Sequence, residues 1–279
     1  MPPQDERARL IKGWNRAAAG WARQQLTFDA ASSPVTEAMI ATAQLQPGER
    51  VLELGSGLGA TGLVAAAQVG EEGAVVLSDA AQRMVERLRE RTKGIANVEV
   101  RELYAEALKF DTAATDAVLA RWMYMLLLDP VSALQETRRV LAPGGRVVLA
   151  AWTGAEDNPW RGATFPALRD RGLVGAPDAD GPHLFAWADP DRIIEALDAA
   201  AFFDPQITQA SFSFEFAGVD DWWDMLLDLS PELALRIGEI SPEERDELLE
   251  ELQRDLSAYT QADGSVVLPA KSHVVRADV

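Results

Sequence analysis

Val51-Leu52-Glu53-Leu54-Gly55-Ser56-Gly57-Leu58-Gly59 reads as a short apolar strand running into glycines at three alternate positions, with a helix-like segment, Ala60 to Gln68, directly behind. Such a turn suits a nucleotide cofactor. The chain reverses sharply there, a β-carbon would block the ligand, and the following helix offers unpaired backbone N–H groups to whatever approaches. An acid, Asp79, follows twenty residues after Gly59, where a ribose needs an acceptor. The overlapping run Gly57-Leu58-Gly59-Ala60-Thr61-Gly62 also satisfies G-x-G-x-x-G, the dinucleotide fingerprint, and Asp79 serves the ribose in either reading. The motif alone therefore does not choose the cofactor. Its phasing adds something: the strand ends at Leu54, so Gly55, Gly57 and Gly59 line the turn, and Gly62 falls one turn into the helix as a packing residue. An acid such as Glu53 immediately before the glycines is unusual in a dinucleotide binder.

Strands and helices alternate outward from this turn. Val51 to Leu54, Ala74 to Leu77, Val98 to Val100, Ala117 to Ala120 and Arg146 to Ala151 are apolar or β-branched strand candidates, and helices fit Thr61 to Val69, Gln82 to Thr92 and Ser132 to Leu141. That rhythm predicts a parallel sheet covered on both faces, with ligands at the carboxyl ends of its strands. The first forty-odd residues read as capping helices, with Trp14 and Trp21 one heptad apart near one face. After Trp152 comes a loop rich in Gly, Pro and Asp, then a helix from about Pro190 to Ala200. A strand at Gln209 to Phe216 and another at Ser265 to Val275 flank an acidic, mostly helical insertion, Val219 to Tyr259. These two late strands are expected to complete a seven-stranded sheet with an antiparallel edge. The acidic run Pro242 to Asp255 reads as a solvated helix face.

Composition narrows the function. The 279 residues hold no cysteine and two histidines, His183 and His273, so disulfides, thiolate chemistry and multi-histidine metal sites drop out and no metal is expected. Forty-four acids against twenty-six bases give a net charge of −18, which repels nucleic acid and anionic membranes. No positively charged leader precedes an apolar run, and none approaches the ~20 residues of a membrane span. The expectation is a soluble cytoplasmic protein of undetermined oligomeric state.

Four blocks in order resemble the class I S-adenosylmethionine-dependent methyltransferases, in particular the ubiquinone and menaquinone C-methyltransferase branch. They are Val51 to Gly59, the Ser78-Asp79…Met84 segment, Leu103-Tyr104-Ala105-Glu106-Ala107-Leu108-Lys109-Phe110, and Arg138-Arg139-Val140-Leu141-Ala142-Pro143-Gly144-Gly145-Arg146. The Pro143-Gly144-Gly145 turn ahead of the fifth strand is the most specific, since a nicotinamide dehydrogenase has no need of it. The resemblance implies a Rossmann-like, doubly wound α/β fold forming one methyltransferase domain over residues 1–279. Within it, 1–46 would be a helical cap, 47–152 the cofactor core, and 153–279 the completion of the sheet, with lid insertions at about 153–190 and 219–260.

For the site, the resemblance implies S-adenosylmethionine as cofactor and S-adenosylhomocysteine as its product. Gly55, Ser56, Gly57 and Gly59 would pass under the methionine and ribose, with Glu53 near the amino end. Asp79, with Ala80 beside it, would accept the ribose hydroxyls, Met84 would pack on the adenine, Ala105 would present its backbone N–H to the ring, and Arg121 would lie near the methionine end. Tyr104 departs from the family, which often has an aspartate there to accept the adenine amino group; Glu106 is one candidate to replace it.

Methyl transfer from a sulfonium relies on proximity and orientation, and a base is optional. His183, by its pKa, is the base candidate, and Tyr124 and Arg121 are candidates to orient the acceptor. Trp14, Trp21, Trp122, Trp152 and Trp160 are expected to wall in a small organic molecule, aromatic or apolar. Asn158-Pro159-Trp160 lies after the fifth strand, the wrong place for the motif of amino-methyltransferases acting on bases, and reads as a loop turn or part of the substrate wall. Two alternatives stay open: a nicotinamide-dependent oxidoreductase using Gly57 to Gly62, and a non-catalytic S-adenosylmethionine-binding scaffold or sensor.

Overall fold

The computed structural model describes residues 4–176, 178 and 181–279. Residues 1–3 of the expected cap, and 177, 179 and 180 of the first expected lid stretch, lie outside the described residues. Two helices, α1 (Gln4–Ala31) and α2 (Ser33–Ala43), precede the alternating half. That half runs β1 (Arg50–Leu54), α3 (Ala60–Val69), β2 (Ala74–Asp79), α4 (Gln82–Arg91), β3 (Val98–Glu102), β4 (Thr115–Arg121), α5 (Pro130–Val140) and β5 (Leu141–Trp152). The rest comprises two short helices, α6 (Pro159–Gly162) and α7 (Phe165–Asp170), followed by α8 (Pro190–Ala199), β6 (Phe203–Phe216), α9 (Val219–Leu229), α10 (Pro231–Ile237), α11 (Pro242–Asp255) and β7 (Val266–Asp278). No helix among the described residues is long and apolar enough to cross a membrane.

The seven strands form one sheet in the order β3-β2-β1-β4-β5-β7-β6. β1, β2, β3, β4 and β5 pair in parallel, while β7 runs antiparallel to both β5 and β6. The expected reversed strand is therefore present, inserted next to the edge, and β6 takes the edge itself. The central strands are buried on both faces: Val51, Leu52, Leu54, Ala117 to Ala120 and Val147 to Ala151 are all inaccessible. This is why they read as unbroken apolar runs and not as alternations. Pro143-Gly144-Gly145 lies within β5 as a bulge, for Leu141 pairs with Thr115 and Arg146 with Ala117, five steps against two.

The sheet order places β1 and β4 at the point where the connections reverse direction, and a crevice opens there beyond the carboxyl ends. Aromatic rings fill the space beside it. Trp122 stacks on Trp152 with centroids 4.2 Å apart, Phe28 meets Trp122 edge-on at 5.7 Å, and Trp160 lies 5.2 Å from both Trp152 and Phe214. Trp122 holds a left-handed backbone, φ 56°, a conformation that costs a bulky residue free energy. The stack, a 2.9 Å bond from Trp122 Nε1 to Ser272 Oγ and another from its backbone N–H to the Ala150 carbonyl hold it there.

α1 has two faces. Residues 7, 11, 14, 18, 21, 25 and 28 recur at heptad spacing and look toward the strand ends. The opposite face packs on the late insertion: Arg23 and Gln24 bond to Asp228 of α9, and Arg16 pairs with Glu232 of α10 at 2.7 Å. Gly20 permits this approach, since a β-carbon there would sit 1.9 Å from the Asp228 carbonyl oxygen. A collision with backbone cannot be relieved by a rotamer change. Gly20→Ala is therefore expected to destabilise the protein by about 2 kcal/mol, read as a lower urea midpoint; an unchanged midpoint would show that α1 and α9 do not pack in this way.

Candidate active site

The glycine turn is fastened from below. The Ser56 backbone N–H and Oγ both donate to the Ser78 carbonyl, at 2.8 and 3.1 Å, while Ser78 Oγ donates to the Glu53 carbonyl at 2.8 Å. These bonds tie β1's end to β2's end, so the turn and Asp79 are held in one frame. Gly55, Gly57 and Gly59 all have positive φ, at 61°, 54° and 82°. Nothing lies within 4 Å of where a Gly57 β-carbon would be, so the turn faces open space. Asp79, half-buried, uses one oxygen to accept from the Gly57 N–H at 3.1 Å and the other to accept from the Ala81 N–H at 2.8 Å. Burial raises the pKa of its carboxyl, opposed by these backbone bonds.

Glu53 is fully buried and accepts the Gly62 N–H of α3 at 3.0 Å. A β-carbon on Gly62 would lie 2.4 Å from that carboxylate and 2.1 Å from Leu77, so the glycine serves the close packing expected of it. Burial pushes the Glu53 carboxyl up to about 8; Arg121 pulls it down, and Asp29 and Asp79 push it further up. Arg121 is itself buried, donates to Thr36 Oγ1 at 3.1 Å and to Ser32 Oγ at 3.3 Å, and lies 3.5 Å from Asp29 of α1. Its guanidinium also sits 4.7 Å from the Trp122 ring centre.

These groups share one cavity of about 1350 Å³, counted out to its solvent mouth. Its floor is the segment from Glu53 to Leu58 with Ser78 to Ala80. One side is Met84 and the loop Leu103 to Glu106, the other Arg121, Trp122 and Met123. Its roof is the heptad face of α1: Arg7, Leu10, Ile11, Trp14, Trp21, Gln25 and Phe28, with Asp29 at the end. Leu126, Leu127 and Leu128, after β4, add further apolar lining to that of Leu10, Ile11 and Trp14. The roof is tied down along its length. Arg7 pairs with Glu106 at 3.1 Å, Asn15 Oδ1 accepts the Arg83 N–H at 2.9 Å, and Asp29 lies 3.5 Å from both Arg91 and Arg121.

The cavity thus brings together Glu53, Gly55, Ser56, Gly57, Asp79, Ala80, Met84, Tyr104, Ala105, Glu106 and Arg121, with Trp14, Trp21 and Trp122. Gly59 stands just behind the turn as the N-cap of α3. Four other expected residues are not in its wall. Tyr124 is buried, bonded through its phenol to Thr137 Oγ1 at 2.6 Å and stacked on Trp187; burial raises its pKa far beyond a useful base. His183 Nδ1 accepts the Phe185 N–H at 3.2 Å in a separate loop, and burial lowers its pKa, helped by Arg192. Trp152 and Trp160 stand in the aromatic core. Asn158 is a structural hub that accepts the Lys271 N–H and donates to the Thr153 and Gly154 carbonyls, so Asn158-Pro159-Trp160 is a loop turn. The expected lid stretches contribute no lining residue among those described; α9 and α10 support α1 from its far side. Sequence reasoning missed Arg7, Leu10, Ile11, Gln25, Phe28 and Asp29, although continuing the Trp14 and Trp21 heptad in both directions reaches Arg7 and Phe28.

Comparisons with known proteins bear on the family and the fold. A methyltransferase-domain family model matches residues 45–167. The ubiquinone/menaquinone biosynthesis C-methyltransferase UbiE of Xanthomonas campestris is 37% identical over 53% of this chain and 61% of its own length. The aklanonic acid methyltransferase DauC of Streptomyces sp. strain C5 is 28% identical over 60% of this chain and 74% of its own length. The chain thus spans less than two thirds of the UbiE relative. Among solved structures, the YcgJ protein of Bacillus subtilis superposes with a TM-score of 0.58 over 87% of this chain and 97% of that one, at 20% identity, a likeness of fold. Over residues 45–167 the chain thus matches the methyltransferase-domain family, and it is similar there to the S-adenosylmethionine-dependent methyltransferases among its relatives.

Proposed function

We propose that this protein transfers a methyl group from S-adenosylmethionine to a small, largely apolar organic acceptor held under α1. The observation that carries this reading is the single cavity in which the glycine turn, Asp79 and the loop after β3 face an apolar, aromatic helix. The residues fit the cofactor. Open space over Gly57 admits a nucleoside, the Asp79 carboxylate stands where ribose hydroxyls would donate, and Met84 with the loop Leu103 to Glu106 flanks the space beyond the ribose. The cofactor, when bound, supplies a methyl group on a sulfonium, already activated for displacement.

The chain's own residues bind, orient and exclude water. Glu53 lies with Arg121 at the end of the cavity where the cofactor's amino acid would sit, and its carboxylate would be the partner of the ammonium group there. Trp21, Phe28 and Trp122 form a dry wall, and the rim of Leu10, Ile11, Trp14 and Leu126 to Leu128 admits an apolar acceptor while screening the reacting atoms. Methyl transfer is in line, so acceptor orientation by this wall provides much of the rate. UbiE and aklanonic acid methyltransferase, by their names, act on small organic molecules, in keeping with such a rim.

The dinucleotide reading is disfavoured by one contact. A pyrophosphate would use the N–H groups at the start of α3, but the Gly62 N–H there is already given to Glu53.

Two outcomes follow. Asp79→Ala removes the ribose acceptor and loosens the Gly57 turn, so its affinity for S-adenosylhomocysteine, measured calorimetrically, should fall at least ~tenfold; unchanged affinity would place the ribose elsewhere. The second concerns pH. A ligand ammonium beside Glu53 favours its ionised form, so binding releases a proton whenever the free carboxyl is protonated, below about 8. Affinity should therefore rise with pH toward that point, until the ligand's own ammonium begins to lose its proton, and Glu53→Gln should flatten the rise. An affinity that is flat or falls from pH 6 to 8 in the wild type would contradict the assignment.

A further inference from the structure

Arg91, the last residue of α4, stands outside the cavity wall yet bonds to two parts of it. Its Nη1 donates to the Leu58 carbonyl in the glycine turn and lies 3.5 Å from Asp29 Oδ2 on α1. Gln25, one helical turn before Asp29, meets the same guanidinium: with its amide oxygen toward Arg91 it accepts from Nε at 3.2 Å and from Nη2 at 3.1 Å. The other Asp29 oxygen lies 3.5 Å from Arg121 Nη2 at the end of β4. One side chain thus holds the turn and the C-terminal part of the roof together.

The Leu58–Gly59 peptide is the part of the turn that its own residues constrain least. Gly57 and Gly59, on either side of Leu58, have φ of 54° and 82°, and glycine moves between backbone states at little steric cost. Hydrogen bonds fix the peptide instead. The Gly59 N–H donates to the Ser56 carbonyl at 2.7 Å, within the turn. Arg91 supplies the bond that ties the carbonyl end to a separate element. The Arg91 and Asp29 side chains are 34% and 24% exposed, so solvent screens their attraction and the value of the contact lies in its geometry. A planar guanidinium can serve a carbonyl, a carboxylate and an amide at once; an ammonium cannot present such a fork.

We propose that Arg91 is a positioning residue that locks the glycine turn to α1, so that the turn keeps its ligand-binding form only while the roof is seated. This rests on the cofactor reading above, although Arg91 itself touches no part of the cavity's contents. Arg7 and Glu106 fasten one end of α1, and Arg91 fastens the other to the turn. Binding at the turn and seating of α1 then favour one another.

Two measurements on the full chain test this lock. In amide hydrogen exchange of the ligand-free protein, Arg91→Ala should speed exchange at the glycine turn and in the last turns of α1 together, and Arg91→Lys, which keeps the charge without the fork, should do so less. In calorimetric titration with S-adenosylhomocysteine, Arg91→Ala should weaken binding by about tenfold although it removes nothing from the cavity wall, with Arg91→Lys again intermediate. Asp29→Asn should weaken binding by a smaller factor, and the loss in the double variant with Arg91→Ala should fall short of the product of the two single losses, because both break one lock. Unchanged affinity in Arg91→Ala would overturn the inference and leave the cofactor reading standing. Faster exchange in α1 with the turn unaffected would also overturn it, since that is the behaviour of a residue that only braces the helix. Absence of S-adenosylhomocysteine binding to the wild type, with turn and α1 still loosened together in Arg91→Ala, would instead overturn the cofactor reading.

Discussion

The site depends on how closely α3 approaches the end of β1. Gly62 lets the helix settle onto Glu53, whose carboxylate accepts the Gly62 N–H. That contact sets the depth of the glycine turn, fills the helix N-terminus with an acid, and leaves the cavity beside it suited to a cation. The same buried carboxylate carries a desolvation cost, visible in a carboxyl raised to about 8. Arg121 offsets part of it, and a cationic ligand would offset more. A strained charge arrangement in the free protein thus becomes binding energy for the cofactor class the family uses.

The second constraint is the roof. α1 spans the cavity from Arg7 near the loop after β3 to Asp29 beside Arg121, and its far side is braced by α9 and α10 through Gly20, Arg23 and Arg16. The acidic insertion therefore acts at one remove: it shapes the site through the helix it supports. The tryptophans divide in the same way. Trp14, Trp21 and Trp122 reach the cavity, while Trp152 and Trp160 stiffen the wall behind Trp122.

The sheet and its floor were legible in the sequence because they follow local rules. Buried parallel strands show as apolar runs, the turn shows as alternating glycines, and Asp79 lies at the expected distance along the chain. Residues whose placement depends on the path of the backbone were not legible. Tyr124 is three residues from Arg121, yet the left-handed backbone at Trp122 and the short helical turn after it send the phenol to Thr137, away from the cavity. His183 belongs to a loop whose direction no periodicity encodes. The roof was half legible: the Trp14 and Trp21 spacing announced a face, but that Arg7 and Asp29 would meet Glu106 and Arg121 is a tertiary fact with sequence separations of 99 and 92 residues.

Everything above turns on the crevice between the glycine turn and α1 being the cofactor site. A crystal structure of the full chain with S-adenosylhomocysteine tests it most directly. The ribose hydroxyls are expected to bond to Asp79, with the base between Met84 and the Leu103 to Glu106 loop, the homocysteine amino group near Glu53, and α1 closed over all three. A ligand bound outside this crevice, or bound within it with its base directed toward Arg121 and its amino acid toward Glu106, would overturn that placement.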